Sequence, residues 1–251
     1  MFVDKAELWL YWMNKKWKNA PRIARQIKKI LKRYGISKGR VLELGCGNGR
    51  ITIYLARQGF EATGVDISQL YIDDARKRAD RMKVMAHFIR GDIRRIDRLV
   101  HRKFDVVISI WTSLGYYTRQ TDEQIFKKVS KLLNKDGLFL VLNTMSREWL
   151  LKRFSPAFFE ETDRYIKLNR NTFDRLHSVL HNKWMTYRKE GQDLIYEDEI
   201  EFDLRIYALC ELVEMAEKAG LHLKEAYDSI LTLEPAKSDS PANLVFQKCQ
   251  V

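Results

Sequence analysis

The chain has 251 residues, 45% of them hydrophobic and 31% charged, and a mass of 29.8 kDa. This composition is sufficient to bury the core of a single domain over residues 1–251, and it excludes an intrinsically disordered chain and a collagen. No apolar run approaches the roughly 20 residues of a membrane-spanning helix, and the N-terminus lacks the layout of a signal peptide. We therefore expect a cytoplasmic protein without a membrane partner.

Basic and acidic residues are concentrated in different parts of the chain, whose net charge is +12. Residues 1–40 hold twelve Lys and Arg against two acidic residues, and residues 190–235 hold thirteen acidic residues against three basic ones. The basic part favours an anionic substrate or a nucleic acid, and equally an ordinary solvated surface. Cys46, Cys210 and Cys249 form no CxxC pair, so we expect neither a disulfide framework nor a metal site.

The first half of the chain alternates helices with short apolar strands. Apolar residues recur at helical spacing from Ile23 to Tyr34, and Gly35 ends that helix. The pattern then predicts strands at 40–44, 61–67, 86–92 and 104–111, and helices at 51–57 and 70–82. Such alternation is typical of a parallel sheet with helices on both faces.

A capped helix and another buried strand come next. Thr121 and Gln124 match the capping-box pattern of a helix that continues to Asn134. A turn at 134–137 then leads into the strand at 138–142. This strand would extend the same parallel sheet.

The pattern changes in the last third of the chain. From Tyr165 to Tyr207 the residues favour extended structure, with Gly191 at a hairpin turn. We therefore expect a partly β insertion over residues 146–207 that lies on the carboxyl edge of the sheet. The chain closes with a helix at 209–219 and strands at 221–230 and 242–249.

A glycine-rich turn follows the first predicted strand. Residues 45–49 read Gly-Cys-Gly-Asn-Gly, which departs from the dinucleotide pattern GxGxxG because residue 50 is an arginine. Glu43 precedes the turn, and Asp66 and Asp92 end the second and third strands. Singly, either aspartate could be a helix N-cap. Together, three acids at the carboxyl ends of parallel strands predict a ligand site, with Asp66 placed to bind ribose hydroxyls.

These motifs resemble those of the class I S-adenosylmethionine-dependent methyltransferases. The resemblance is carried by residues 41–49, 64–68 and 91–93 and covers nearly the whole chain. It extends to Phe104–Ser109, to Arg205–Tyr207, and to Thr112–Tyr117, a TSFGYF-like loop of a small-molecule-type group with a β-rich insertion. The resemblance implies an α/β, doubly wound, seven-stranded Rossmann-like sheet whose last strand is antiparallel. It also implies S-adenosylmethionine as cofactor and S-adenosylhomocysteine as product.

The resemblance assigns the glycine turn to the methionine portion of the cofactor. Gly45, Cys46 and Gly47 would line that portion, and Gly49 would complete the turn. The carbonyl of Gly45 would receive the ammonium group, and Glu43 would reinforce this contact. Cys46 is interpreted as a small spacer, because nothing in the sequence supplies it with a base or a metal.

The remaining cofactor contacts are implied at the ends of the next strands. Asp66 would accept hydrogen bonds from both ribose hydroxyls. Ile67 and Ile93 would enclose the adenine, and Asp92 would accept from its exocyclic amine. The residues that would border the sulfonium are Ile110 and Trp111.

No catalytic base can be identified from the sequence. The candidates for the acceptor pocket are Tyr11, Tyr116, Tyr117, Arg205 and Tyr207, with Arg205 available for an anionic group. A packing role for these aromatic residues and a structural ion pair for Arg205 are the alternatives. Methyl transfer requires a base only where the acceptor must lose a proton early.

The N-terminal segment, residues 1–20, is predicted to form a lid. Trp9, Tyr11, Trp12 and Trp17 lie among lysines, which suits neither a solvated tail nor a core helix. The lid would cover the cofactor and wall the acceptor pocket. The alternative is plain packing against the sheet edge.

We expect the acceptor to be a small molecule. The alternatives are an RNA methyltransferase, a non-catalytic nucleotide- or RNA-binding protein on the same fold, and a nicotinamide oxidoreductase. The basic N-terminus favours nucleic acid, and the acidic residues beside Arg205 oppose it. The early third glycine and Asp92 disfavour the oxidoreductase. The oligomeric state cannot be predicted from these features.

Overall fold

A computed structural model describes residues 6–248 of the chain, so the predictions made for residues 1–5 and for Cys249 lie outside the described residues. The helices are α1 Ala6–Lys15, α2 Ala20–Arg33, α3 Arg50–Ala56, α4 Gln69–Arg81, α5 Ile96–Leu99, α6 Arg119–Leu132, α7 Arg147–Arg153 and α8 Leu209–Glu217, with 3-10 turns at Trp17–Asn19 and Ile93–Arg95. The strands are β1 Arg40–Leu44, β2 Glu61–Asp66, β3 His87–Arg90, β4 Phe104–Ile110, β5 Leu133–Thr144, β6 Ala157–Glu161, β7 Tyr165–Asp174, β8 Val179–Glu190, β9 Asp193–Arg205, β10 Leu221–Ala226 and β11 Ala242–Lys248. Within 6–248, no helix is both long and apolar enough to cross a membrane.

Seven strands form the main sheet in the order β10-β11-β5-β4-β1-β2-β3. The strands β3, β2, β1, β4 and β5 are parallel, and β11 is antiparallel to both of its neighbours. This confirms the predicted doubly wound sheet and its antiparallel last strand. The strand order reverses between β1 and β4, and in such sheets ligands bind outside the carboxyl ends of the strands at this point.

Two apolar cores cover the two faces of the main sheet. On one face α2 and α3 pack against Val106 and Ile108 of β4, and on the other α6 and α8 pack against Val107 and Phe139. Successive side chains of a strand point to opposite faces, so strands covered on both faces are continuous apolar runs. Full burial of one such side chain stabilises the fold by about 1.5–3 kcal/mol.

The predicted β-rich insertion is confirmed between β5 and α8. Helix α7 leads into a second, antiparallel sheet of four strands in the order β6-β7-β8-β9. Gly191, with φ of +60°, makes the tight turn between β8 and β9. The insertion lies at the carboxyl edge of the main sheet, because the N–H of Arg205 donates to the carbonyl of Gly115 in the loop after β4, at 2.7 Å.

Two local predictions were wrong near β5. Helix α6 begins earlier than expected, because the hydroxyl of Thr118 accepts a hydrogen bond from the N–H of Thr121 and is the N-cap. Residues 134–137 form an irregularity inside β5 rather than a turn before it. The Asn134 amide donates to the Asp105 carboxylate at 2.6 Å, which holds this irregularity against the neighbouring strand.

Candidate cofactor site

The glycine turn between β1 and α3 depends on backbone that other residues rarely adopt. Gly45, Gly47 and Gly49 have φ of +65°, +54° and +75°. A Cβ atom at Gly45 would lie 2.7 Å from the Ser113 hydroxyl oxygen, and one at Gly49 would lie 2.7 Å from the Phe88 ring. The turn is therefore packed closely on both sides, and it brings the loop after β4 against its first glycine.

Asp66 ties the end of β2 to this turn. Its carboxylate is buried and accepts hydrogen bonds from the N–H of Gly47 at 2.8 Å and of Ser68 at 2.9 Å, one on each oxygen. Burial raises the pKa of Asp66 and the two N–H donors oppose that shift. Each oxygen keeps further acceptor capacity, so the carboxylate can still receive two hydroxyl groups.

Glu43 lies buried at the end of β1 and faces the first turn of α3. Its carboxylate accepts from the N–H of Thr52 at 2.9 Å and from the Thr52 hydroxyl. Burial raises the pKa of Glu43 to about 7, against the hydrogen bonds from Thr52. In this structure Glu43 holds the helix that follows the glycine turn, and its contact with an ammonium group stays a prediction.

Arg50 is a site residue that the sequence analysis did not identify. It is buried at the first position of α3, and its guanidinium carbon lies 3.8 Å from the centre of the Trp111 ring. Burial lowers the pKa of Arg50 to about 10, so it stays charged at neutral pH. Arg50 directly follows the glycine turn and is the one charged residue of α3. This position is the local sequence signal by which it could have been identified.

Trp111 follows β4 in a left-handed conformation, with φ of +61°. Its N–H donates to the carbonyl of Leu142 at 2.9 Å, and its carbonyl accepts from the Thr144 hydroxyl at 2.8 Å. A residue other than glycine held in this region stores backbone strain, which is typical of functional sites. Ile110, which precedes it, is buried in the core at 2% exposure, so only Trp111 of this predicted pair faces the turn through Arg50.

Asp92 is the N-cap of the 3-10 turn after β3. Its carboxylate accepts from the backbone N–H of Arg94 at 2.8 Å and forms an ion pair with the same residue's guanidinium. These contacts confirm the alternative capping role, and binding of an adenine amine stays a prediction. Of the two predicted adenine contacts, Ile67 is 40% exposed at the sheet edge whereas Ile93 is 8% exposed.

Several buried polar atoms around the turn have no hydrogen-bond partner among residues 6–248. They are Asn48 Oδ1, Arg50 Nε, Ser68 Oγ and Tyr71 OH. An unpaired buried polar group costs about 1–3 kcal/mol, so native proteins rarely keep several at one place without a ligand. Burial, and then the charge of Asp66, raise the pKa of Tyr71, which places this ring beside that carboxylate. These residues fit a polar ligand at the turn.

The predicted pocket tyrosines differ in their surroundings. The Tyr116 hydroxyl donates to the Thr112 hydroxyl at 3.1 Å, and the Tyr117 ring lies 4.6 Å from the Arg94 guanidinium carbon. Burial raises the pKa of both tyrosines, so neither is prepared to act as a base near neutral pH. Both belong to the loop after β4, but Tyr117 lies beside Arg94, which follows Ile93, whereas Tyr116 packs on Phe202 of the insertion.

Tyr207 and Arg205 make contacts within the protein that agree with their alternative structural roles, and their place in the acceptor pocket stays a prediction. The buried Tyr207 hydroxyl donates to the Asp122 carboxylate at 2.7 Å, and that carboxylate also accepts from the N–H of Gly115 at 3.1 Å. Arg205 donates to the carbonyl of His177 at 3.3 Å and covers the Tyr207 ring at 5.5 Å. The two residues thus hold the loop after β4 against the base of the insertion.

Helix α1 lies over the glycine turn. The Met13 sulfur is 3.0 Å from the position of a Cβ atom at Gly47, and the Asn48 amide donates to Asn14 at 2.9 Å. Arg78 of α4 donates to the same Asn14 oxygen at 2.8 Å. Within the described residues, α1 therefore packs on the turn, and its function as a lid stays a prediction.

The opposite side of α1 is bound to the insertion. The Tyr11 hydroxyl donates to Thr162 at 3.0 Å, and Lys15 pairs with Asp163 at 2.6 Å. A role of Tyr11 in the acceptor pocket stays a prediction. The Trp9 ring packs on Trp184 with 4.4 Å between ring centres. Helix α1 thus joins the second sheet to the glycine turn.

Part of the chain that contains this geometry is similar to known proteins. A family described as a methyltransferase domain matches residues 41–137, which contain the turn and all three acids. A provisionally named methyltransferase of Geobacillus sp. (strain WCH70) is 28% identical over 96% of this chain and 99% of its own length.

Solved structures share the fold over nearly the whole chain. An S-adenosylmethionine-dependent methyltransferase from Clostridium acetobutylicum ATCC 824 superposes with a TM-score of 0.79 at 17% identity, covering 92% of each chain. The amino pentose methyltransferase CalS10 from Micromonospora echinaspora, solved with bound S-adenosylmethionine, gives a TM-score of 0.75 at 16% identity, covering 95% of this chain and 96% of its own. The insertion is part of the shared architecture, because these matches extend well beyond residues 41–137.

Proposed function

We propose that this chain is a class I methyltransferase, which binds S-adenosylmethionine at the glycine turn and transfers its methyl group to a small-molecule acceptor; the match to a methyltransferase domain and the shared fold support this. The observation that carries the proposal is the group of unpaired buried polar atoms beside Asp66, at the point where the strand order of the main sheet reverses. A dinucleotide is disfavoured, because the third glycine comes one position early and residue 50 is Arg50.

Each part of the site has a separate role in holding the cofactor. Asp66 accepts the ribose hydroxyls, and its bonds to the N–H groups of Gly47 and Ser68 fix the carboxylate in place. Arg50 packs its guanidinium on the Trp111 ring and offers the unpaired Nε–H to the cofactor carboxylate. Ile67 supplies an exposed apolar surface for the adenine.

The bound cofactor supplies a methyl group on a sulfonium, whose leaving group departs without charge. The chain therefore needs no general acid, and its contribution is to orient the acceptor and to exclude water. Helix α1 covers the turn and the insertion walls the carboxyl edge, which suits both tasks. No residue of the loop after β4 is prepared to take a proton, so we assign no catalytic base.

A small acceptor fits the charge distribution better than RNA does. Lys15 and Lys16 pair with Asp163 and Glu160 of the insertion, and Arg33 pairs with Glu225 of β10. These three of the twelve basic residues before residue 41 are thus paired with acidic residues of the same molecule and are less available to a phosphate backbone. The amino pentose methyltransferase that shares the fold is also an enzyme of a small acceptor.

Calorimetric titration with S-adenosylhomocysteine tests the proposal. We expect the wild-type protein to bind it, and NAD not to bind. Asp66→Ala should weaken binding by about 1.5–3 kcal/mol, roughly ten- to a hundredfold, because two ribose hydroxyls lose a charged acceptor. Glu61→Ala is the matched control, since Glu61 begins β2 at the end opposite Asp66 and pairs there with Arg102. A wild-type protein that does not bind S-adenosylhomocysteine would refute the proposal.

The acceptor class is tested with the same protein. Labelled S-adenosylmethionine is incubated with a fractionated cell extract from the source organism, and the fraction that gains label names the acceptor class. We expect label in the small-molecule fraction. Label in the RNA fraction alone would contradict a small acceptor while leaving methyl transfer intact.

A further inference from the structure

A lysine is buried among tryptophans where α1 meets the insertion. Lys167 projects from β7 and is 5% exposed. Its ammonium nitrogen lies 4.2 Å from the ring centre of Trp184 and 4.7 Å from that of Trp12, with Trp9 at 5.9 Å. Glu160 of the adjacent strand completes the surroundings with an ion pair at 2.6 Å.

Burying the Lys167 ammonium group costs free energy. An ammonium group removed from water loses its hydration, and burial lowers the pKa of Lys167 accordingly. Attraction to aromatic faces offsets part of that cost, and it is stronger for a desolvated cation than for an exposed one. Two of the three rings, Trp9 and Trp12, belong to α1, so this attraction acts between the insertion and the helix.

The same helix places the next side chain on the glycine turn. Trp12 contacts the lysine, and Met13 directly after it reaches the position of a Cβ atom at Gly47. Two consecutive residues of α1, Trp12 and Met13, therefore connect Lys167 of β7 with the glycine turn. Whatever fixes the rotation of α1 on the insertion also fixes Met13 over the turn.

We infer that Lys167 is a positioning residue for cofactor binding, which acts by seating α1 on the second sheet. The inference rests on the proposed function, because the turn under Met13 is the proposed site for S-adenosylmethionine. Lys167 does not touch the turn. Loss of its side chain should weaken the packing of α1 on the second sheet. The contact of Met13 with the proposed cofactor site would weaken with it.

Binding of S-adenosylhomocysteine to Lys167→Met tests this inference, because methionine keeps most of the volume and removes the charge. We expect affinity about tenfold below wild type, because the attraction to the rings of α1 is lost. Thermal stability should change little, since Glu160, the partner left behind, is 36% exposed and lies 3.9 Å from the Lys16 ammonium. Tryptophan emission should shift to longer wavelength as Trp9 and Trp12 gain water. Lys183→Met on β8 is the control, because Lys183 makes its ion pairs with Glu199 and Glu201.

A double-mutant cycle separates seating from a general loss of structure. Trp12→Leu should weaken binding, and the Trp12→Leu/Lys167→Met double variant should be no weaker than the worse single variant, because both changes remove one contact. Wild-type affinity in Lys167→Met would overturn the inference and leave the proposed function standing. Additive losses would overturn it as well. A wild-type protein that does not bind S-adenosylhomocysteine would overturn both.

Discussion

At the scale of single residues, Gly49 carries two constraints that can be separated by experiment. Its φ of +75° matches that of Gly35, but only Gly49 has neighbours where a Cβ atom would lie. We expect Gly35→Ala to lower the free energy of unfolding by about 1–2 kcal/mol through backbone strain alone. Gly49→Ala should cost about 1–3 kcal/mol more, because the methyl group would meet the Phe88 ring and Ala75. Equal losses in urea denaturation would contradict the close packing of the turn.

The Glu43 carboxyl makes the stability of the protein depend on pH. Its pKa is raised from 4.5 to about 7 in the folded chain, so the proton is held more tightly in the folded state than in the unfolded one. The resulting stability is fully present below pH 4.5 and is lost as the pH rises through about 7. Glu43→Gln removes this loss, because its amide does not ionise.

Urea denaturation at several pH values checks this expectation. The stability of Glu43→Gln relative to wild type should increase by about 3 kcal/mol between pH 4.5 and pH 8. Other carboxyl groups titrate equally in both proteins and cancel in the difference. A difference that does not change with pH would show that folding does not raise the pKa of Glu43.

At the scale of elements, α1 is expected to contribute more to binding than to folding. Its contacts are with the glycine turn and the insertion, while the two cores of the main sheet are formed by other elements. Deletion of residues 1–17 should therefore weaken S-adenosylhomocysteine binding clearly while it lowers the melting temperature only slightly. Calorimetry and thermal denaturation of the same preparation measure both effects. Unchanged affinity in a folded truncation would refute a lid function for α1.

The elements that the sequence predicted correctly are those that local pattern determines. Buried parallel strands are continuous apolar runs, and the turn at residues 45–49 contains its glycines within one segment. The cap at Thr118 was misplaced because Thr121 offers the same chemistry three residues later. Local pattern allows both, and only the packing of the helix decides between them.

The parts of the site that were not predicted join residues far apart in the sequence. Lys167 stands in a strand where a lysine normally indicates the solvent face, and only the tryptophans of α1 make its position an inner one. Tyr207 was placed in the pocket because nothing local shows that its hydroxyl meets Asp122. Arg50 differs, because its position after the turn was a local signal.

At the scale of the whole molecule, ion pairs compensate part of the charge asymmetry along the chain. Lys15 and Lys16 pair with Asp163 and Glu160 of the insertion, and Arg33 pairs with Glu225 of β10. We expect weak binding of bulk RNA, with half-saturation above about 10 μM near physiological salt, the range of non-specific contacts.

Filter binding at about 50 and 200 mM salt measures this, because true phosphate contacts would make the affinity fall by several orders of magnitude between the two. Addition of RNA to a methyl-transfer assay is the second measurement. Tight, strongly salt-dependent binding that competes with methyl transfer would overturn the preference for a small acceptor.

The insertion begins and ends at one point of the main domain. The N–H of Arg147, at the start of α7, donates to the carbonyl of Tyr207, just after β9, at 2.8 Å. A segment anchored in this way can be exchanged during evolution without moving β5 or α8, so acceptor choice can diverge while the strands beneath the cofactor stay the same. A replacement segment would need its own packing surface for Trp9 and Trp12 of α1. This requirement limits which insertions the protein can accept.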